Sequence, residues 1–247
     1  MAEPAPAVKL YNAGAEHFRK AEYDKAVDCF KRAAAADEKL YRAWAYLGMA
    51  YAQLGQLDPA IEAYRKCIDI APQYHKAFNN VGELYRRKGL LDYAAMVFKM
   101  ASEIDPTQAH YFYNLGITYF EIGMYAQAED AFSSALKLDA NDYEYATELA
   151  QVQFTQRKYE AAAGTLEKFI TAHPDHERSA ETGARLAMLK RRIEAEKALA
   201  AQQAAEAHKS EIRQAPIEDE DSNAQTKQVQ SLPLPLPGQN DPPKPPA

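Results

Sequence analysis

Few residues in this chain have the types and spacing for covalent or metal chemistry. His173 and His176 stand three apart with Glu177 following, a spacing that metals use. Pro174 and Asp175 lie between them and no second ligand pair is close, so the segment reads as a turn. Cys29 and Cys67 have no histidine in register to activate a thiol, and both sit in helical patterns where a small buried residue is the simpler role. No glycine-rich phosphate loop, Gly-x-Ser-x-Gly elbow or His-Glu-x-x-His helix occurs. The expectation is no catalytic residues, no metal, no cofactor, and therefore not an enzyme. Recognition chemistry is better represented. Asn12, Asn80 and Asn114 share one 34-residue register. An amide side chain offers a donor and an acceptor together, so a row of amides can grip an extended backbone whatever its side chains.

The elements that would position these residues are repeats. Gly14, Gly48, Gly82 and Gly116 recur at a spacing of 34, with Ala150 at the next step, and Gly55, Gly89 and Gly123 keep the same period. Ala26, Ala60, Ala94, Ala128 and Ala162 form a small-residue ladder, and Phe30, Tyr64, Phe98, Phe132 and Leu166 form a bulky one. Trp44 to Tyr51 carries apolar residues at helical spacing, so each unit opens on an amphipathic helix. The first glycine series lets a neighbour approach closely, and the second ends the helix where a left-handed residue is wanted. Asp24, Asp58 and Asp92 stand where an N-cap belongs, with Pro59 at the first helical position of its unit. Pro72, Pro106 and Pro174 close three units.

The chain has 247 residues, 47% of them hydrophobic and 26% charged, with net charge −6, a balance that argues against nucleic acid as the main ligand. The start has neither a basic n-region nor an apolar run, and no stretch is long and apolar enough to span a membrane, so the expected compartment is the cytoplasm. A signal removed upstream would leave no trace here.

In its register of Trp44, Leu47, Gly48, Tyr51, Gly55, Ala60, Tyr64 and Pro72 the chain resembles the tetratricopeptide repeat (TPR) family. The resemblance implies an all-α fold: a right-handed superhelical solenoid of helix-turn-helix repeats, with units 7–40, 41–74, 75–108, 109–142 and 143–176. Residues 1–6 are expected to be a disordered start. Residues 177–214 read as a long helix whose first half caps the stack through Leu186, Leu189 and Ile193 and whose second half projects into solvent. Residues 215–247 read as a disordered acidic and proline-rich tail.

The resemblance also implies a concave groove lined by the first helix of each unit. Its sixth position carries Asn12, Tyr46, Asn80, Asn114 and Glu148. Arg42, Lys76 and Arg87, with Asn79 and Tyr113, complete the expected peptide-binding groove. The groove is basic over the first three units and acidic towards Glu121, Glu144 and Glu148. No window rebuilds the five-residue carboxylate clamp of chaperone-tail adaptors; the third puts Glu144 and Glu148 where bases are required. The function this suggests is a protein–protein interaction scaffold or adaptor holding an extended peptide segment of a partner protein. The alternative is a dedicated chaperone or assembly factor for a multiprotein complex, such as a secretion or envelope assembly. Val8 has no polar cap before it, which leaves room for an end-on homo-oligomer.

Overall fold

The computed structural model describes residues 5–214, with side chains through residue 210. The expected disorder of 215–247, and of residues 1–4 of the expected disordered start 1–6, lies outside the described residues; of the other two, Ala5 precedes the first helix and Pro6 opens it. The described chain is helical throughout: α1 (Pro6–Arg19), α2 (Tyr23–Ala36), α3 (Tyr41–Gln53), α4 (Leu57–Ile70), α5 (His75–Arg87), α6 (Leu91–Ile104), α7 (Ala109–Ile122), α8 (Tyr125–Leu138), α9 (Tyr143–Thr155), α10 (Tyr159–Ala172) and α11 (Ser179–Gln214). The first ten pair as helical hairpins, α1 with α2 through to α9 with α10, and each hairpin packs on the next.

The two ladders explain the pairing. A Cβ added at Gly14, Gly48 or Gly82 would lie 2.8 Å from the ring of Phe30, Tyr64 or Phe98, and one at Gly116 would lie 2.7 Å from Phe132. The ring of the second helix thus lies against the bare backbone of the first, closer than any side chain would allow. Those rings are buried to 2% exposure or less. In the fifth hairpin both partners change together: Ala150 replaces the glycine, and Leu166 replaces the ring within the same core cluster. The extra methyl is accommodated because the ring is gone.

The turn inside each hairpin needs a left-handed residue. Gly55, Gly89 and Gly123 have φ of +73°, +74° and +87°. The same turn recurs without glycine at Ala21 (φ 59°) and Arg157 (φ 60°), which extends the conformational ladder to both outer units.

The capping expectation needs correction. The N-caps of α2, α4 and α6 are Glu22, Gln56 and Leu90, none with a side-chain cap bond. The amides of Ala26, Ala60 and Ala94 donate to the Glu22, Gln56 and Leu90 carbonyls, so each cap lies two residues before the expected one. Asp24, Asp58 and Asp92 are therefore in the first turn, where they face the positive end of the helix dipole rather than capping an amide. Pro59 is the third helical residue, still within the turn whose amides need no partner. The first helical residue in these three is large and half-buried, Tyr23, Leu57 or Leu91. Asp142 does cap α9, accepting from the amides of Glu144 (2.8 Å) and Tyr145 (3.1 Å).

Of the described residues, those up to Ala198 form one compact unit, and those from Leu199 to Gln214 belong to a second. Within the first, the start of α11 closes the last hairpin: Leu189 and Ile193, with Leu186 beside them, pack on Ala150, Tyr159, Ala163 and Leu166. No described helix is long and apolar enough to cross a membrane.

Candidate functional site: the face of the first helices

Side chains of consecutive first helices reach one another directly. Tyr11 on α1 meets the Tyr46 ring on α3 edge-on at 5.4 Å. Arg87 on α5 donates to the Ala52 carbonyl on α3 at 3.5 Å. Arg86 on α5 pairs with Glu121 on α7 at 3.0 Å, and Tyr113 on α7 packs on Tyr145 of α9 at 5.1 Å. The second helices instead stand apart, with open clefts of about 570 Å³ between α2 and α4, about 490 Å³ between α6 and α8, and about 460 Å³ between α8 and α10. Close approach on one side and splaying on the other curve this unit, and put α1, α3, α5, α7 and α9 on the inner side.

On that face the expected residues fall into two sets. One set is tied into the chain. Asn80 Nδ2 donates to the Tyr64 hydroxyl at 3.0 Å, and Asn114 Nδ2 donates to Asn79 Oδ1 at 2.9 Å. Tyr46 is half-buried against Phe18 and Phe30, with ring centroids 6.2 and 5.6 Å away. Tyr113 packs on Phe132 at 5.9 Å. Its phenol is pushed up to about 12, first by burial and then by Glu144 and Glu148. Asn80 and Asn114 hold the same place in the repeat but bond differently, for a reason that the 34-residue register does not show. Tyr64 is the one member of the bulky ladder with a hydroxyl, and a buried hydroxyl needs a partner, which Asn80 in the next unit supplies. Asn114 follows Phe98, which makes no such demand, and bridges to Asn79 instead.

The other set faces solvent. Asn12, Arg42, Lys76 and Arg87 are exposed. Arg42 leans on its neighbour Tyr41, whose hydroxyl it reaches at 3.3 Å. Among the described residues no carboxylate pairs with Arg42, Lys76 or Arg87, whereas Arg86 beside them is held by Glu83 and Glu121. The far end is acidic: Glu144 and Glu148 lie on α9, and burial, more than the Glu144 charge, raises the Glu148 carboxyl above its ordinary range, with Arg185 of α11 opposing. The solvent-facing residues form a strip, basic over α3 and α5 and acidic at α9.

The residues that could have suggested other chemistry are absorbed by packing. Cys67 is fully buried and its thiol is pushed up to about 12 by burial; Cys29 is half-buried. The His176 ring stacks on Tyr143 at 5.5 Å, and Phe169 lies 4.9 Å from His173 and 5.4 Å from His176. Among the described residues no group of three or more His, Cys, Asp or Glu side chains gathers where a metal could sit.

This is a helical-repeat solenoid of the TPR type, with an inner face built from first helices. The chain belongs to the TPR family described by the C-terminal domain of cilia and flagella-associated protein 70, which matches residues 39–166. No curated protein sequence matches it. Among solved structures the chain is similar to MamA, residues 41 to the end, from Desulfovibrio magneticus RS-1, with TM-score 0.63 and 19% identity over 71% of this chain and 99% of that one. It is also similar to PilF from Pseudomonas aeruginosa, with TM-score 0.61 and 23% identity over 75% and 84% of the two chains. A third similar structure is YrrB, described as a TPR protein with an unusual peptide-binding site, with TM-score 0.60 and 17% identity over 73% and 93%. These likenesses are of fold.

Proposed function

We propose that the chain is an interaction scaffold whose inner face holds an extended, acidic segment of a partner protein. The observation that carries this reading is the exposed set Arg42, Lys76 and Arg87, spread over α3 and α5 without carboxylate partners in the described chain. Unpaired cations lined along an inner face attract and orient a segment of opposite charge. Glu144 and Glu148 at the other end repel the same segment, which fixes its position and its polarity. Asn12 is exposed and free to bond a peptide backbone. Asn79, Asn80 and Asn114 contribute less than a free amide ladder would, since each has an amide group already bonded inside the chain. The fold is compatible with this use, YrrB being described as having a peptide-binding site.

Selection from a library of random peptides displayed on phage tests the reading. The full chain should enrich sequences rich in Asp and Glu, and enrichment should fade when selection is repeated at 1 M salt, where the screening length falls to about 3 Å. Enrichment of neutral or basic sequences would refute the charge assignment.

A further inference from the structure

Each second helix turns one row of side chains away from the core. The first position of that row holds Lys25, Pro59, Gln127 and Ala161 on α2, α4, α8 and α10, but Tyr93 on α6. The next holds Asp28, Glu62, Asp130 and Gly164, but Met96 on α6. The third holds Arg32, Lys66, Ser134 and Lys168, but Met100 on α6. Tyr93, Met96 and Met100 are 56%, 54% and 41% exposed, while Ala94, Phe98 and Ala101 face the core and are fully buried. The hairpin therefore does not need large apolar groups in this row, and the four other repeats manage without them. Spaced three and four apart, the three side chains form one ridge along the helix. Two of them are methionines, whose flexible side chains adapt to an opposing surface.

The charges beside the ridge indicate what covers it. Asp92 and Lys99 are exposed on one flank. Asp92 has no ion-pair partner among the described residues, and Lys99 reaches only Glu103, at 3.9 Å. Consider a second α6 laid antiparallel on the first with Met96 on the two-fold axis. Met96 then meets its own copy, Tyr93 lies beside Met100 of the second copy, and Asp92 lies beside Lys99 of the second copy. The two-fold repeats each unlike contact. Parallel pairing would instead put the flanks that carry Asp92 and Lys99 on opposite sides of the interface, and no ion pair would form between them. The helix is thus complementary to itself, in apolar surface and in charge, in the antiparallel arrangement.

We propose that two copies of this chain associate through the outer face of α6, antiparallel and centred on Met96. The ridge offers less than the roughly 800 Å² per partner of a stable interface, so the dimer is weak and concentration-dependent. It differs from an end-on contact at Val8, and it leaves the inner face of both copies open for a ligand.

Sedimentation velocity of the full chain over a range of concentrations tests this. The expected result is a monomer–dimer equilibrium. Met96→Asp should raise the dimer dissociation constant at least about tenfold. Its circular dichroism should not change, because Met96 is exposed, and Met100→Glu should repeat the effect. Lys99→Glu alone should weaken the dimer, and adding Asp92→Lys should restore it by exchanging the signs. A monomer at every concentration overturns the proposal. So does a dimer indifferent to Met96→Asp and Met100→Glu, or a charge-exchanged pair that stays as weak as the single variant.

Discussion

Replacing Gly82 by alanine isolates the contact that spaces the two helices of a hairpin. The new Cβ would stand 2.8 Å from Phe98 Cδ1 and Cε1 and 3.0 Å from Cγ, against a ring with no exposed surface and no free direction in which to retreat. Overpacking of this kind costs about 1–3 kcal/mol. Alanine also favours the helix over glycine by about 1 kcal/mol, which hides part of the clash. Gly164 on α10 separates the two effects, because a Cβ there meets nothing within 4 Å. Gly164→Ala should therefore stabilise by roughly 1 kcal/mol. The difference between the two substitutions, measured as midpoints of urea unfolding with unchanged slope, should be about 1–3 kcal/mol in favour of Gly164→Ala. A second control copies the fifth hairpin, where Ala150 is paired with Leu166. In a Phe98→Leu background, Gly82→Ala should lose its penalty and behave like Gly164→Ala. Equal effects of Gly82→Ala and Gly164→Ala, or the same penalty with Leu as with Phe at residue 98, would refute the packing argument.

Three further outcomes follow from the same geometry. Ala21→Gly and Arg157→Gly, at φ of 59° and 60°, should each raise the unfolding midpoint by relieving about 1 kcal/mol of left-handed strain, and Gly89→Ala at φ +74° should lower it by a similar amount. Asn80→Ala should cost about 1–3 kcal/mol by leaving the buried Tyr64 hydroxyl without a partner, and Tyr64→Phe in the same background should recover most of that; additive losses in thermal unfolding would contradict the bond's role. The Glu148 carboxyl is held above its ordinary range by burial, so the folded chain binds its proton more tightly than the unfolded chain does. Stability should fall as pH rises from about 4.3 through the raised value, and Glu148→Gln should flatten that part of the stability curve.

The fold was legible in the sequence because its spacing rule is chemical. A glycine facing a ring and a left-handed glycine in the turn cannot be exchanged freely, so they repeat visibly at 34 residues. The turn at Ala21 and Arg157 was invisible, because tertiary packing holds the left-handed conformation there without the residue that advertises it. The caps were misplaced for a related reason: an Asp in the first turn meets the helix dipole nearly as well as one at the cap, so its type does not fix the first residue of the helix. The inner face was legible as a row of positions but not as a set of free groups. Whether an asparagine is available depends on what lies under it, Tyr64 beneath Asn80 and Asn79 beside Asn114, and helical spacing does not reveal that. The apolar ridge of α6 was present in the sequence as a break at three positions of one outward row, readable only when the repeats are compared at positions that do not build the core.

Calorimetric titration of an acidic peptide against the wild-type chain and against Arg42→Glu, Lys76→Glu, Arg87→Glu combined tests the central claim most directly. The three side chains are exposed and make no ion pairs in the described chain, so their reversal should leave the unfolding midpoint nearly unchanged. The inner-face account predicts that the acidic peptide binds the wild type, that the reversed chain loses that binding, and that a peptide with lysine in place of each acid binds the reversed chain instead. An acidic peptide that binds both chains equally would place recognition elsewhere on the molecule and contradict the account.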